Sequence, residues 1–129
     1  MKNGLISLFS GLMLVLLTVP ARADGLTQLW ECELEEDKTR AELVEISVTW
    51  TKAASSIEGA EGLEAYLEFP VSGDVGDGEF VFVMTLPSAT AWGRFEDAYP
   101  DSKAAEIDED WGDVASCSES SIWSSVSLQ

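Results

Sequence analysis

Any chemistry this 129-residue chain performs is performed without histidine. That absence removes the Ser-His-Asp nucleophile, histidine general-base catalysis and His-liganded zinc or copper. Its two cysteines, Cys32 and Cys117, are too few for a tetrahedral thiolate metal site. No Walker or Rossmann glycine pattern follows a strand-like segment, so nothing supports a nucleotide site, and no cofactor or metal is expected. Carboxylates, rings and Arg94 are left as candidates. Asp74, Asp77 and Glu79 lie in a glycine-rich stretch at a spacing that could hold Ca²⁺, but outside the EF-hand register; a solvated hairpin loop is the simpler reading. Asp108, Glu109, Asp110 and Asp113 form a second acidic cluster, which reads more simply as the outward face of a helix. Trp30, Tyr66, Trp92, Phe95, Tyr99, Trp111 and Trp123 are many rings for a small domain. They could line a pocket for a flat apolar ligand, although most also sit at core spacing. Arg94, between Trp92 and Phe95, could orient an anionic substituent or simply pair with Glu96 or Asp97 at the surface. Tyr66, Trp92, Arg94 and Tyr99 are accordingly the candidate ligand-binding residues, and no side chain stands out as a catalytic base.

The elements that must position these residues follow from periodicity. Gln28 to Leu34 alternates, with Trp30, Cys32 and Leu34 on one face and Glu31 and Glu33 on the other, as a half-buried strand does. Thr39 with Glu42 fits a capping box, and Leu43, Ile46, Trp50, Ala53 and Ile57 follow at helical spacing, predicting a helix from Lys38 to Ser55. The Gly59-Ala60-Glu61-Gly62 stretch stops it. Leu63 to Phe69 is a second strand. Glu79 to Leu86 is a third, apolar on both faces, and so needs cover on both. Ser88 can cap a helix carrying Ala91, Trp92, Phe95 and Ala98 that stops near Tyr99-Pro100; Asp101 or Ser102 can restart one carrying Ala105, Trp111 and Val114. Ile122 to Leu128 closes the chain as a fourth strand, with Trp123 opposite Ile122, Val126 and Leu128.

The N-terminus reads as an address. Lys2, the apolar run Leu5 to Val19 and Ala21-Arg22-Ala23 match a secretory signal peptide over residues 1–23, cleaved before Asp24. A retained membrane anchor is the weaker reading, because the run is short and interrupted. The expected product is one domain over residues 24–129, exported to the periplasm or secreted. Lys2 and Arg22 leave with the signal, so five of the seven basic residues face all 24 acidic ones, a formal charge of −19. A surface this acidic repels phosphate backbones and anionic headgroups, so neither nucleic acid nor a membrane is an expected partner after cleavage.

Strand, helix, strand, strand, helix pair, strand is the order of the ferredoxin-like α+β plait, whose sheet order is 4-1-3-2. That order makes the first and last strands antiparallel neighbours. Cys32 near the end of one and Cys117 just before the other then come close enough for a disulfide, which an exported protein keeps oxidised. A redox-active pair is the rival reading, but it lacks C-x-x-C spacing and a nearby base to hold a thiolate.

Leu29-Trp30-Glu31-Cys32-Glu33-Leu34, the two-sided Phe80-Val81-Phe82-Val83-Met84, and Ala91-Trp92-Gly93-Arg94-Phe95-Glu96-Asp97-Ala98-Tyr99 together resemble the dimeric α+β barrel superfamily. Antibiotic-biosynthesis-type monooxygenases and many uncharacterised relatives belong to it. The resemblance spans the expected mature domain and is one of element order and pattern. It implies helices on one sheet face and a second subunit's sheet on the other, hence a homodimer; a lone plait would leave Val81, Val83 and Trp123 as an exposed patch. Two classes of function fit. One is an acidic, non-catalytic homodimeric module that binds a small apolar or aromatic ligand or a protein, or serves structurally. The other, implied by the resemblance, is a cofactor-independent monooxygenase acting on a small aromatic substrate, with Tyr66, Trp92 and Arg94 in its pocket.

Overall fold

A computed structural model describes residues 25–74 and 76–128. The expected signal segment, residues 1–23, lies outside them. β1 (Leu26–Leu34) and β3 (Glu79–Leu86) form the centre of an antiparallel sheet, flanked by β2 (Glu64–Glu68) beside β3 and β4 (Ala115–Ser124) beside β1. The order β2-β3-β1-β4 is the plait's 4-1-3-2 read from its other edge. α1 (Arg40–Ala54), α2 (Ala89–Ala98) and α3 (Lys103–Gly112) cover one sheet face, and a single 3₁₀ turn, Tyr99–Asp101, joins α2 to α3.

Local chemistry accounts for these boundaries. The Thr39 hydroxyl accepts from the Glu42 amide while the Glu42 carboxylate accepts from the Thr39 amide at 2.7 Å, so two free donors at the start of α1 are satisfied reciprocally. Ser88 and Ser102 cap α2 and α3 by accepting from Ala91 and Ala105. Pro100 cannot continue α2, and its turn redirects the chain into α3. After α1 the chain reverses at Gly59, where φ is +92° and a Cβ would lie 2.5 Å from that of Arg94. Only glycine meets both conditions.

The core lies between the sheet and the helices. Phe80, Phe82, Met84 and Leu86 point from β3 into it and meet Leu43, Trp50 and Ala54 of α1, Phe95 of α2, and Ile107 and Trp111 of α3. Rings meet edge to face around Phe82, with Trp30 at 5.5 Å, Trp50 at 5.3 Å and Trp111 at 5.9 Å between centroids. The α1 stripe differs from the expected one at two places: Ala54 is buried where Ala53 is only partly so, and Ser47 is buried in place of Ile46, its hydroxyl accepting the Trp111 indole N–H at 3.0 Å.

The fourth strand is a correction. It covers Ala115–Ser124 rather than Ile122–Leu128, and Val126 and Leu128 lie beyond it, largely exposed. An apolar alternation cannot reveal it, because nine of its ten residues are exposed and it is held by its ladder to β1. Cys117 therefore lies inside the strand, directly opposite Cys32, and the two are joined by a disulfide. The register slips between Glu31 and Cys32, so a bulge adjoins the bridge.

Candidate functional site

A cleft of about 310 Å³ opens between the β1–β4 side of the sheet and the α2–α3 pair. Strand alternation sends Gln28 and Trp30 from β1 and Cys117 from β4 to its floor, and Trp50, Phe82, Phe95 and Trp111 close it from behind. Tyr99, in the turn between α2 and α3, forms one wall, with Glu96 one helical turn before it and Asp108 facing it from α3. Ser120 and Ile122 pair with Trp30 and Gln28 and so share the inner face; both are exposed.

The Trp50 indole N–H donates to the Tyr99 hydroxyl at 3.0 Å, and the Asp108 carboxylate lies on the same side of the cleft. Burial pushes the Tyr99 phenol up to about 12; the Trp50 N–H opposes the rise, and the charge of Asp108 adds to it. Tyr99 is thus a neutral donor at any physiological pH. Asp108 is an exposed residue, yet enough protein surrounds its carboxyl to raise it above the ordinary carboxylate value, with the Tyr99 hydroxyl pulling back. Partial burial raises Glu96 in the same way. At the other end the Trp92 indole N–H donates to Gln28 Oε1 at 3.3 Å, fixing the Gln28 amide at the floor.

The four residues singled out from sequence are separated by the fold. Tyr99 lines the cleft, and Trp92 reaches it through Gln28. Tyr66 is half exposed on the opposite face of the sheet, where its hydroxyl donates to Glu64. Arg94 is exposed, its stem set against Gly59. Ion pairs among the described residues are Lys38–Glu42 and Lys103–Glu106, so Arg94 is not bridged to Glu96 or Asp97. No group of three or more described Asp, Glu or Cys residues converges to hold a metal; the Glu79 carboxylate accepts the Gly76 amide instead, and closes its own loop.

Sequence reasoning did not select Trp50, Gln28, Glu96 or Asp108. A signal existed for the last two. Glu96 and Tyr99, and likewise Asp108 and Trp111, are three apart and so share a helix face, with each carboxylate at the edge of a buried stripe.

Solved structures carry this arrangement of strands and helices. SnoaB, a cofactor-independent oxygenase from Streptomyces nogalater, superposes with a TM-score of 0.58 at 13% identity, over 82% of this chain and 97% of its own. A protein of unknown function from Bacteroides thetaiotaomicron, described as a possible oxidoreductase, superposes with a TM-score of 0.54 at 10% identity, over 79% and 98%. The chain has the ferredoxin-like α+β fold and shares it with these two proteins. At such identities the likeness is one of fold, and function has to be argued from the site. Neither a protein-family model nor a curated protein matches the chain.

Proposed function

We propose that this ferredoxin-like domain is an exported binding module whose cleft between sheet and helices takes a small, flat aromatic molecule. One observation carries the reading: an open cleft walled by Trp30 and Tyr99 is backed by buried rings that already pack edge to face and tilted on one another, so a guest ring extends an existing aromatic cluster. The Cys32–Cys117 disulfide supports export, since such bridges persist in oxidising compartments. No helix among the described residues is long and apolar enough to cross a membrane. Residues 24–129 are then the working domain.

Titration with 2-naphthol, followed through the indole ¹H–¹⁵N signals, tests the reading. Saturable shifts are expected at Trp30 and Trp50 and none at Trp123, which lies on the other sheet face. Shifts at all three alike, or none, would overturn it.

A second reading is favoured by the Tyr99–Asp108 pair. A carboxylate with a raised pKa beside a ring pocket is suited to take the proton of an electron-rich phenol, the step that prepares such a ring for oxygen. The fold shared with a cofactor-independent oxygenase fits this. Oxygen uptake on 1,4-dihydroxynaphthalene, above blank and lost in Asp108→Asn, is its expected signature; uptake no faster than blank rules it out.

A further inference from the structure

We propose that the cleft selects an organic cation: an aromatic or alkyl amine whose apolar part lies against Trp30 and Tyr99 and whose ammonium group sits between Glu96 and Asp108 at the mouth. The inference rests on the cleft being a ligand site and adds the charge of what it takes. Three observations carry it.

The first is uncompensated charge. Two carboxylates line the cleft and no basic residue does. All five described cations are placed elsewhere. Lys38 pairs with Glu42 and Lys103 with Glu106, Arg40 stacks 3.6 Å above the Phe69 ring, Arg94 lies against Gly59, and Lys52 borders a depression between α1 and β2.

The second is the state of the neutral donors. The indole N–H groups of Trp50, Trp92 and Trp111 are committed to Tyr99, Gln28 and Ser47, which leaves the Tyr99 hydroxyl, beside the Asp108 carboxylate, as the neutral donor on that wall. An anionic guest would meet two carboxylates with only the neutral Trp30 indole, Gln28 amide and Tyr99 hydroxyl to oppose them. A guest that brings its own charged donors meets acceptors ready for it.

The third is the wall material. Ring faces carry negative electrostatic potential and attract ammonium groups, and Trp30 and Tyr99 are the half-buried rings that still offer surface. Carboxylates at the rim with rings beneath are the combination that a hydrophobic ammonium ion needs at its two ends. Partial burial of both carboxyls strengthens the attraction relative to the many solvated acids elsewhere on the chain.

The test compares three phenols alike in ring and nearly alike in arm: tyramine, 4-ethylphenol and 4-hydroxyphenylacetate, titrated calorimetrically into the folded protein at about 0.15 M salt. Tyramine should bind about ten-fold tighter than 4-ethylphenol, with the anion weakest. In Glu96→Gln/Asp108→Asn the tyramine advantage should vanish while 4-ethylphenol still binds, which also shows that the variant is folded. In Glu109→Gln/Asp110→Asn, two exposed acids outside the cleft, the advantage should persist. Equal binding of tyramine and 4-ethylphenol overturns the inference and leaves the cleft as a ring site. A tyramine advantage that survives Glu96→Gln/Asp108→Asn, or that is lost equally in the control pair, also overturns it, because the attraction then belongs to the acidic surface as a whole. Binding by none of the three, with the Trp30 indole signal unmoved, removes the ligand-site reading itself.

Discussion

Asp108 is held between opposed influences, and their balance sets a pH dependence. Partial burial raises its carboxyl above the ordinary 3.8, and the Tyr99 hydroxyl pulls it part of the way back. Because folding raises this pKa, the folded chain holds the proton more tightly than the unfolded chain. The stability Asp108 contributes is therefore complete below its unfolded value and is lost as pH rises through its folded value. Asp108→Asn cannot ionise and keeps an acceptor for Tyr99, so it should melt higher than the wild type at pH 7, by about 1–3 °C after allowing for solvent screening. At a pH well below 3.8 the gain should disappear. Melting curves at the two pH values check this, and a lower melting temperature at pH 7 counts against it. This scale was also the least legible in sequence. Trp50 and Tyr99 each sit at core spacing, but the hydrogen bond that unites them joins residues 49 apart and depends on how α1 and the 3₁₀ turn converge. Tyr66 shows the converse: a ring on the wet face of an alternating strand is assigned to solvent by its own period, and β2 places it there.

At the level of elements, legibility tracked how strongly a segment's own residues dictate its conformation. The bounds of β3 were readable because eight consecutive residues, Glu79–Leu86, have a pattern only a covered strand explains, and α1 was readable from its capping box. β4 was not, because Ser116, Ser118, Ser120 and Ser121 have neither strand preference nor burial. It is a strand because β1 offers it an edge and because Cys117 is tied to Cys32. This gives the disulfide an unequal effect over the fold. Closing a loop across 85 residues of separation contributes on the order of 4 kcal/mol in the chain-entropy account. The strand with the least packing of its own depends on it most. Cys32→Ala/Cys117→Ala should lower global stability by about 3–4 kcal/mol in urea unfolding. In native-state hydrogen exchange, amides of Ala115–Ser124 should lose protection by local opening, while those of β3 remain limited by global unfolding. Uniform loss across both strands would mean that the bridge acts on the chain as a whole and not through β4. Because the cleft floor includes Cys117, the same variant should also weaken binding of 2-naphthol.

For the whole molecule, the sheet face away from the helices combines an apolar band with an acidic end, and the two oppose each other in assembly. Tyr66, Val83, Leu29 and Ser121 form one cross-strand row, and Trp123 lies in the next, opposite Thr27. Val83 is already covered within the chain at 5% exposure, so the uncovered apolar area comes from Trp123 at 59% and Tyr66 at 49%. On the far side, Glu68, Val81, Glu31 and Glu119 form a row with three carboxylates in it, and Glu33 and Glu79 follow in the next. The family resemblance implies a second copy on this face, but the exposed β3 patch expected of a lone plait is absent, because Val83 is buried and Val81 half-buried, so Trp123 and Tyr66 are what a partner would cover. Bringing two such faces together buries the rings favourably and sets like charges against one another, on a chain whose formal charge is already −17. Salt separates the two contributions. The Debye length falls from about 30 Å at 0.01 M to about 3 Å at 1 M, which silences repulsion between exposed carboxylates and leaves apolar burial intact. Sedimentation equilibrium at micromolar protein should therefore give a mass near one chain at low salt that rises toward two at high salt. Glu31→Gln/Glu119→Gln should show the dimer at lower salt, and Trp123→Ser should remain a single chain throughout. A single-chain mass at every salt concentration would remove the dimer, and with it the need for a partner to cover this face. A dimer unaffected by Trp123→Ser would place the interface elsewhere, leaving Tyr66 and Trp123 as isolated exposed rings of the kind a solvated sheet tolerates.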